Sequence, residues 1–199
     1  AFSSAVLSPD ARLLAVKFGG KGTRDRLAVI DLEKNAIKVV AQFTDVDVGY
    51  FQWVNNQRLV LDSVDKRSAP GEVRYAPGLY AVNRDGSGFR QLVDVNTAMG
   101  AARRPGQKLL PWHTFLVKQH GAQDNDEVYV TSPVWENGNR GELEYVRLLR
   151  LNTVTGATEH VKRPGATRSW LLDHRGEPRL ATTLEKNVMT VLYNDPAKN

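Results

Sequence analysis

The stretch that decides the reading is residues 5–18, AVLSPDARLLAVKF, because residues 51–64, FQWVNNQRLVLDSV, repeat it without a gap 46 positions later. In that overlay Leu7 falls on Trp53, Asp10 on Asn56, Arg12 on Arg58 and Leu13 on Leu59. Each copy is an apolar run, a polar turn and an alternating apolar run, the pattern of two short strands joined by a tight hairpin. Residues 169–184, SWLLDHRGEPRLATTL, form another copy with a longer turn, in which Arg179 and Leu180 take the places of Arg12 and Leu13.

A second signature alternates with the first: LAVIDLEKNAIKVV (27–40), LYAVNRDGSGFRQLV (79–93) and RLLRLNTVTGATEHV (147–161). Each is a strand ending in Asp31, Asn83 or Asn152, a turn around Asn35, Gly86 or Gly156, and a second strand. Asp and Asn suit the strand end because their side chains bond nearby backbone amides, and Gly and Asn tolerate the positive φ of the turn. Asn83 and Asn152 are 69 residues apart, as are Arg58 and Glu127, so NDEVYVTSP (125–133) is a weakened copy of the first signature.

Each repeat is therefore four strands, two hairpins in series, over about 45 to 50 residues, the size of a propeller blade. The expected fold is an all-β propeller with four-stranded antiparallel blades at 1–42, 49–93, 111–162 and 167–199, in one partial domain spanning 1–199. An immunoglobulin-like sandwich also contains many short strands, but it does not predict two alternating signatures at a repeating offset. In blade four the third strand is VMTVLYN (188–194), with Asn194 in the strand-ending place, and a fourth strand is missing. The expectation is the front part of a larger propeller, or a piece that pairs with a second copy through open blade edges, with a small closed four-bladed ring as the alternative.

The phrases SPDARLLAV, DVGYFQWVNNQRLVL and GLYAVNRDGSGFRQL resemble the amino-terminal propeller of bacterial prolyl oligopeptidase-family serine peptidases, the acylaminoacyl peptidases and dipeptidyl aminopeptidases. The propeller of TolB-like periplasmic proteins is a relative of that pattern. The chain departs from it at Ala11, where a turn glycine is usual, and at Asn55-Asn56. The resemblance implies a propeller that caps a separate carboxy-terminal α/β-hydrolase domain and restricts entry to short or unfolded peptides. The catalytic serine, aspartate and histidine belong to that other domain, so no catalytic residue is assigned here. The other reading is a TolB-like scaffold for protein–protein interaction with no enzyme attached.

Composition narrows the chemistry. The 199 residues contain 27 Lys and Arg against 22 Asp and Glu, and no cysteine, which excludes disulfides, thiolate zinc sites and a cysteine nucleophile. No apolar run approaches the roughly 18 residues of a membrane span, so no membrane partner is expected. The basic residues are spread over every blade, which argues against nucleic acid. Compartment stays open, the periplasm being favoured over the cytoplasm. The start, AFSSA, lacks an initiator methionine and the layout of a signal peptide, as in a processed chain.

No Gly-x-Ser-x-Gly elbow is present, and Gly86-Ser87-Gly88 falls between two strands. FGGKGT (18–23) lacks the glycine spacing of a phosphate loop, and no helix follows to present its amides. His113, His120, His160 and His174 lack ligand spacing, so neither a metal nor a cofactor is expected. Contact residues are expected on the insertion at 94–110, where Arg103, Arg104 and Lys108 are dense, and at Trp112 and Trp135 beside blade three. The insertion at 65–77 is a similar candidate. Trp53 and Trp170 are expected to pack between blades.

Overall fold

The computed structural model describes residues 1–67, 77–95, 108–138 and 141–198. Those residues form four antiparallel sheets in chain order. Sheet one is β1 (Phe2–Leu7), β2 (Leu13–Phe18), β3 (Arg26–Asp31) and β4 (Ala36–Ala41). Sheet two is β5 (Asp47–Asn55), β6 (Arg58–Val64), β7 (Leu79–Asn83) and β8 (Arg90–Val93). Sheet three is β9 (Phe115–Leu116), β10 (Glu127–Trp135), β11 (Leu143–Asn152) and β12 (Thr158–His160). Sheet four is β13 (Thr167–Leu172), β14 (Pro178–Glu185) and β15 (Val188–Tyr193), followed by a single turn of 3-10 helix. Every strand pairs with its sequence neighbour, which is the meander of a propeller blade.

The turn chemistry read from sequence is present. Asn35, Gly86 and Gly156 all have positive φ, at 50°, 82° and 76°. The Asp31 carboxylate accepts the Glu33 and Lys34 amides at 3.1 and 2.9 Å, so the strand-ending residue caps its own turn. Ala11, the departure from the usual glycine, is held at φ 56°. A Cβ is strained there, so Ala11→Gly is expected to raise the unfolding free energy by about 0.5–1 kcal/mol, read from thermal or urea midpoints.

Strand pairing refines the repeat by one residue in two places. Arg58 pairs with Asn83 and Glu127 with Asn152, but the residue opposite Asp31 is Leu13, not Arg12. Leu7 still matches Trp53, since Leu7 pairs with Leu14 and Trp53 with Leu59. The first hairpin of sheet one is thus one residue longer than that of sheet two, and a gapless overlay cannot show this. In sheet four β15 ends at Tyr193, which stands opposite Leu180 as Asp31 stands opposite Leu13, so Tyr193 and not Asn194 holds the strand-ending place; Asp195, two residues on, accepts the Ala197 amide at 3.0 Å. The burial of Ala181 and Thr183 agrees, for it puts them on the face that Leu61 and Ser63 occupy in sheet two.

The chain divides into two compact units, one of residues 1–112, 123–126 and 153–156, the other of 113–122, 127–152 and 157–199. In the first unit, sheets one and two share an apolar core. Leu13, Ala15, Leu27 and Val29 pack against Phe51, Trp53, Leu59, Leu61 and Val82. Trp53 is buried, and its indole N–H donates to the Val6 carbonyl at 3.0 Å, which joins the innermost strands of the two sheets. In the second unit, Tyr129 and Leu148 pack with Leu172, Val117 and Trp170. Trp170 repeats the device, its indole N–H donating to the Val146 carbonyl at 2.9 Å.

Candidate interaction site

In these sheets the β1–β2 and β3–β4 hairpins turn at one end, and the longer connections leave from the other. At that second end of the first unit, charge holds the loops. Arg24, from the β2–β3 connection, donates through Nη1 to Asp47 Oδ2 at 2.9 Å and Asp65 Oδ1 at 2.7 Å. Asp47 opens β5 with its side chain nearly buried, and it also accepts the Asp25 amide at 2.8 Å and the Lys66 amide at 3.3 Å. Burial alone would raise the Asp47 carboxyl, but the Asp25 amide, the Arg24 guanidinium and the Lys66 amide outweigh it and hold the group below the usual carboxylate range. Lys66 pairs with Asp25, and Arg67 donates to the Gly22 carbonyl at 2.9 Å, so the first residues of the 65–77 insertion are tied down.

This network also explains the glycine run at 18–23. A side chain on Gly19 would start 2.0 Å from Asp25 Oδ1, so the Asp25 carboxylate occupies the space that the missing Cβ leaves. Gly20 donates its amide to Thr23 Oγ1 at 2.8 Å. The segment is a strand connection shaped by an ion pair.

The insertion at 94–110 leaves and returns at one place. Asp94 N–H donates to the Leu110 carbonyl and Leu110 N–H to the Leu92 carbonyl, both at 2.9 Å, so Leu110 docks beside β8. Arg103 and Arg104 lie outside the described residues. Lys108 is exposed and Trp112 is 36% exposed, both in the first unit. Trp135 ends β10 in the second unit, half-buried, with the His113 ring edge-on to it at 5.0 Å. Burial and then the nearby Arg147 charge push the His113 imidazole below its ordinary value. Among the described residues no group of three or more His, Asp or Glu side chains could hold a metal ion. No helix among them is long and apolar enough to cross a membrane.

The hairpin end of the first unit carries a second network, which sequence reading missed. Arg58 is buried and forks between two turns, those after β7 and β11. Its Nε donates to Thr153 Oγ1 at 3.0 Å and Nη2 to the Thr153 carbonyl at 2.8 Å. Its Nη1 donates to Asn83 Oδ1 at 2.6 Å, and Nη2 to the Gly88 carbonyl at 3.3 Å. Burial pulls its pKa below that of an ordinary arginine, because these hydrogen-bond partners are neutral. Arg90 extends the network to the Val154 carbonyl at 3.1 Å, and Asn55 donates to Asp126 Oδ1 at 2.8 Å. The one sequence signal was that Arg58 and Asn83, both in repeated places, stand opposite each other.

On the outer side of the same unit Phe43, Tyr80 and Phe89 cluster, Tyr80 stacking on Phe89 with ring centres 5.7 Å apart. Beside them runs a shallow groove lined by residues 39–42 and Phe89. Its walls are Val39, Val40, Ala41 and Phe89, with Gln42 the polar residue beside them.

Three four-stranded sheets and a three-stranded one, built this way, can be compared with known proteins. No family model matches the chain, and no curated protein does. Among solved structures, an acylaminoacyl peptidase in complex with Z-Gly-Gly-Phe-chloromethyl ketone is similar at TM-score 0.54 and 14% identity, over 98% of this chain and 31% of that one. An oligogalacturonate lyase in complex with manganese is similar at TM-score 0.53 and 11% identity, over 92% of this chain and 46% of that one. The fold is a β-propeller, present in part. TolB from Acinetobacter baumannii also matches, at TM-score 0.47 and 13% identity, over 97% of this chain and 43% of that one. The propeller segment thus spans about a third of the peptidase and less than half of the lyase. The peptidase is of the kind whose propeller the blade phrases resemble.

Proposed function

We propose that this chain is the non-catalytic propeller portion of a bacterial prolyl oligopeptidase-like serine peptidase, controlling peptide access and docking a separate α/β-hydrolase domain. In this reading residues 1–199 belong to one propeller domain. The observation that carries it is the agreement of the blade phrases with a fold match that uses nearly the whole chain and under a third of an acylaminoacyl peptidase. The remaining length of such a protein is room for a catalytic domain. Arg103, Arg104, Lys108, Trp112 and Trp135 are the residues proposed to meet peptide or the hydrolase domain, since long connections on a rigid scaffold carry contacts. A second copy of the chain is the other proposed partner, through the open edge of β15, whose only strand neighbour among the described residues is β14.

The parent reading frame tests the proposal. A Gly-x-Ser-x-Gly elbow downstream of Asn199, followed by Asp and then His, is the expected result. A stop codon soon after Asn199 overturns it and leaves the TolB-like interaction scaffold. The purified 199-residue chain is expected to leave a peptide p-nitroanilide uncleaved. Turnover that a serine-directed reagent abolishes would show that the chain itself is catalytic.

A further inference from the structure

A row of polar side chains crosses sheet three where the adjacent row of the same face is apolar. Ser132 on β10 stands opposite Arg147 on β11. On the other side of β10, Thr131 stands opposite Phe115 and Val130 opposite Leu116, so the same register sets Thr114 opposite Ser132. Directly opposed residues share a face, with Cβ atoms about 5 Å apart, and Thr114, Ser132 and Arg147 therefore form one continuous row. The adjacent row is Leu116, Val130 and Leu149. All three polar residues belong to the second compact unit.

Each of the three carries a donor with nothing to bond. Thr114 and Ser132 are 1% exposed, yet neither hydroxyl has a hydrogen-bond partner. Arg147 Nε is buried without an acceptor. Buried hydroxyls are nearly always paired, so two orphans side by side need a reason. The place in the repeat does not supply it, for Ser63, 69 residues earlier in sheet two, donates to the Pro77 carbonyl at 2.7 Å. Nor do the acids of the sheet serve the guanidinium. Glu127 and Glu159 pair with Arg150, which lies over Tyr129 on the opposite face, and among the described residues Arg147 has no ion-pair partner.

What would complete the row is an acceptor that is also an anion. A guanidinium offers two parallel N–H groups that match the two oxygens of a carboxylate, and hydroxyls donate to the remaining lone pairs. Charge selects among anions. His113, the titratable neighbour of Arg147, is held uncharged at neutral pH by its burial and by that guanidinium. A single positive charge balances a carboxylate and leaves a phosphate dianion uncompensated. Access is from the guanidinium side, since Arg147, His113 and Trp135 are half-buried where the two hydroxyls are buried. We propose that Thr114, Ser132 and Arg147 form a carboxylate-binding site, the guanidinium forked onto both oxygens and the two hydroxyls donating to them. The proposal stands apart from the peptidase reading, which the parent reading frame decides.

Calorimetric titration of the purified chain at low salt provides the test, with sodium acetate, N-acetyl-alanyl-alanine, the carboxamide of that dipeptide and inorganic phosphate as probes. Both carboxylates are expected to bind at one site per chain and to shift the Arg147 Nε–H resonance, which is assigned by its loss in Arg147→Lys. The carboxamide is expected not to bind. Equal affinities for acetate and the dipeptide mean that a free acid suffices, and a tighter dipeptide means that a peptide chain end is the source. Arg147→Lys is expected to weaken binding at least tenfold, because an ammonium cannot make the fork. Thr114→Val and Ser132→Ala are each expected to weaken it at least threefold while the free chain unfolds at the same or a higher urea midpoint, since each removes a hydroxyl buried without a partner. Failure of both carboxylates to bind leaves water as the filler of the row and overturns the proposal. So does phosphate binding tighter than acetate, affinity unchanged in Arg147→Lys, or a lowered urea midpoint in both hydroxyl variants.

Discussion

Replacing Arg58 with alanine is expected to lower the unfolding free energy by about 4 kcal/mol, read from urea midpoints at unchanged m-value. The guanidinium is buried and donates four hydrogen bonds, to Asn83 Oδ1, the Gly88 carbonyl, and the hydroxyl and carbonyl of Thr153. Alanine leaves those acceptors dry, and a hydrogen bond to a charged donor is worth about 1.5–3 kcal/mol. That loss is a large part of the 5–15 kcal/mol a domain of this kind has. Arg58→Lys keeps the charge but cannot fork to acceptors on two turns at once, so it should recover less than half of the loss. An alanine variant within 1 kcal/mol of wild type would show that the turns hold without it.

Asp47→Asn is the second large effect, an expected loss of about 3 kcal/mol at pH 7, because the amide leaves the Arg24 guanidinium without its most buried anionic partner. The effect is tied to pH in a definite direction. The folded carboxyl lies below its ordinary value, so the unfolded chain takes up the proton first as pH falls. The stabilisation is full above the unfolded carboxylate pKa near 3.9 and drains away as pH drops toward the lower folded value. Wild type and Asp47→Asn should therefore converge in stability below about pH 4. A difference that stays constant from pH 7 to pH 3 would mean that Asp47 acts through shape and not through charge.

Both of these residues were invisible as sites in one dimension. Asp47 reads as a polar residue opening an apolar strand, and its partners Arg24 and Lys66 are 23 and 19 positions away on other connections. Arg58 was noticed as the start of a strand, but its partner Thr153 lies 95 residues on. The contact residues expected from sequence are drawn from loop length and local charge, and these say where a chain can reach. They do not say what it touches. Of these residues, Lys108 and Trp112 belong to one compact unit and Trp135 to the other.

The blades were legible because their evidence is local. Alternation of period two, turn residues that accept positive φ, and Asp or Asn capping a hairpin all act within about fifteen residues, and a repeat displays them several times over. Leu7 on Trp53, the turns at Asn35, Gly86 and Gly156, and the tryptophans packed between sheets were all open to that reading. Which residue stands opposite which is a different matter. The extra residue between Leu7 and Leu14, and the place of Tyr193 rather than Asn194 at the end of β15, depend on pairing across strands, which a gapless overlay cannot place. Tertiary structure alone decided which sheet faces are covered. Leu7 and Trp53 hold the same place in the repeat, yet one is half exposed and the other buried, because burial depends on what packs against the sheet and not on the residues within it.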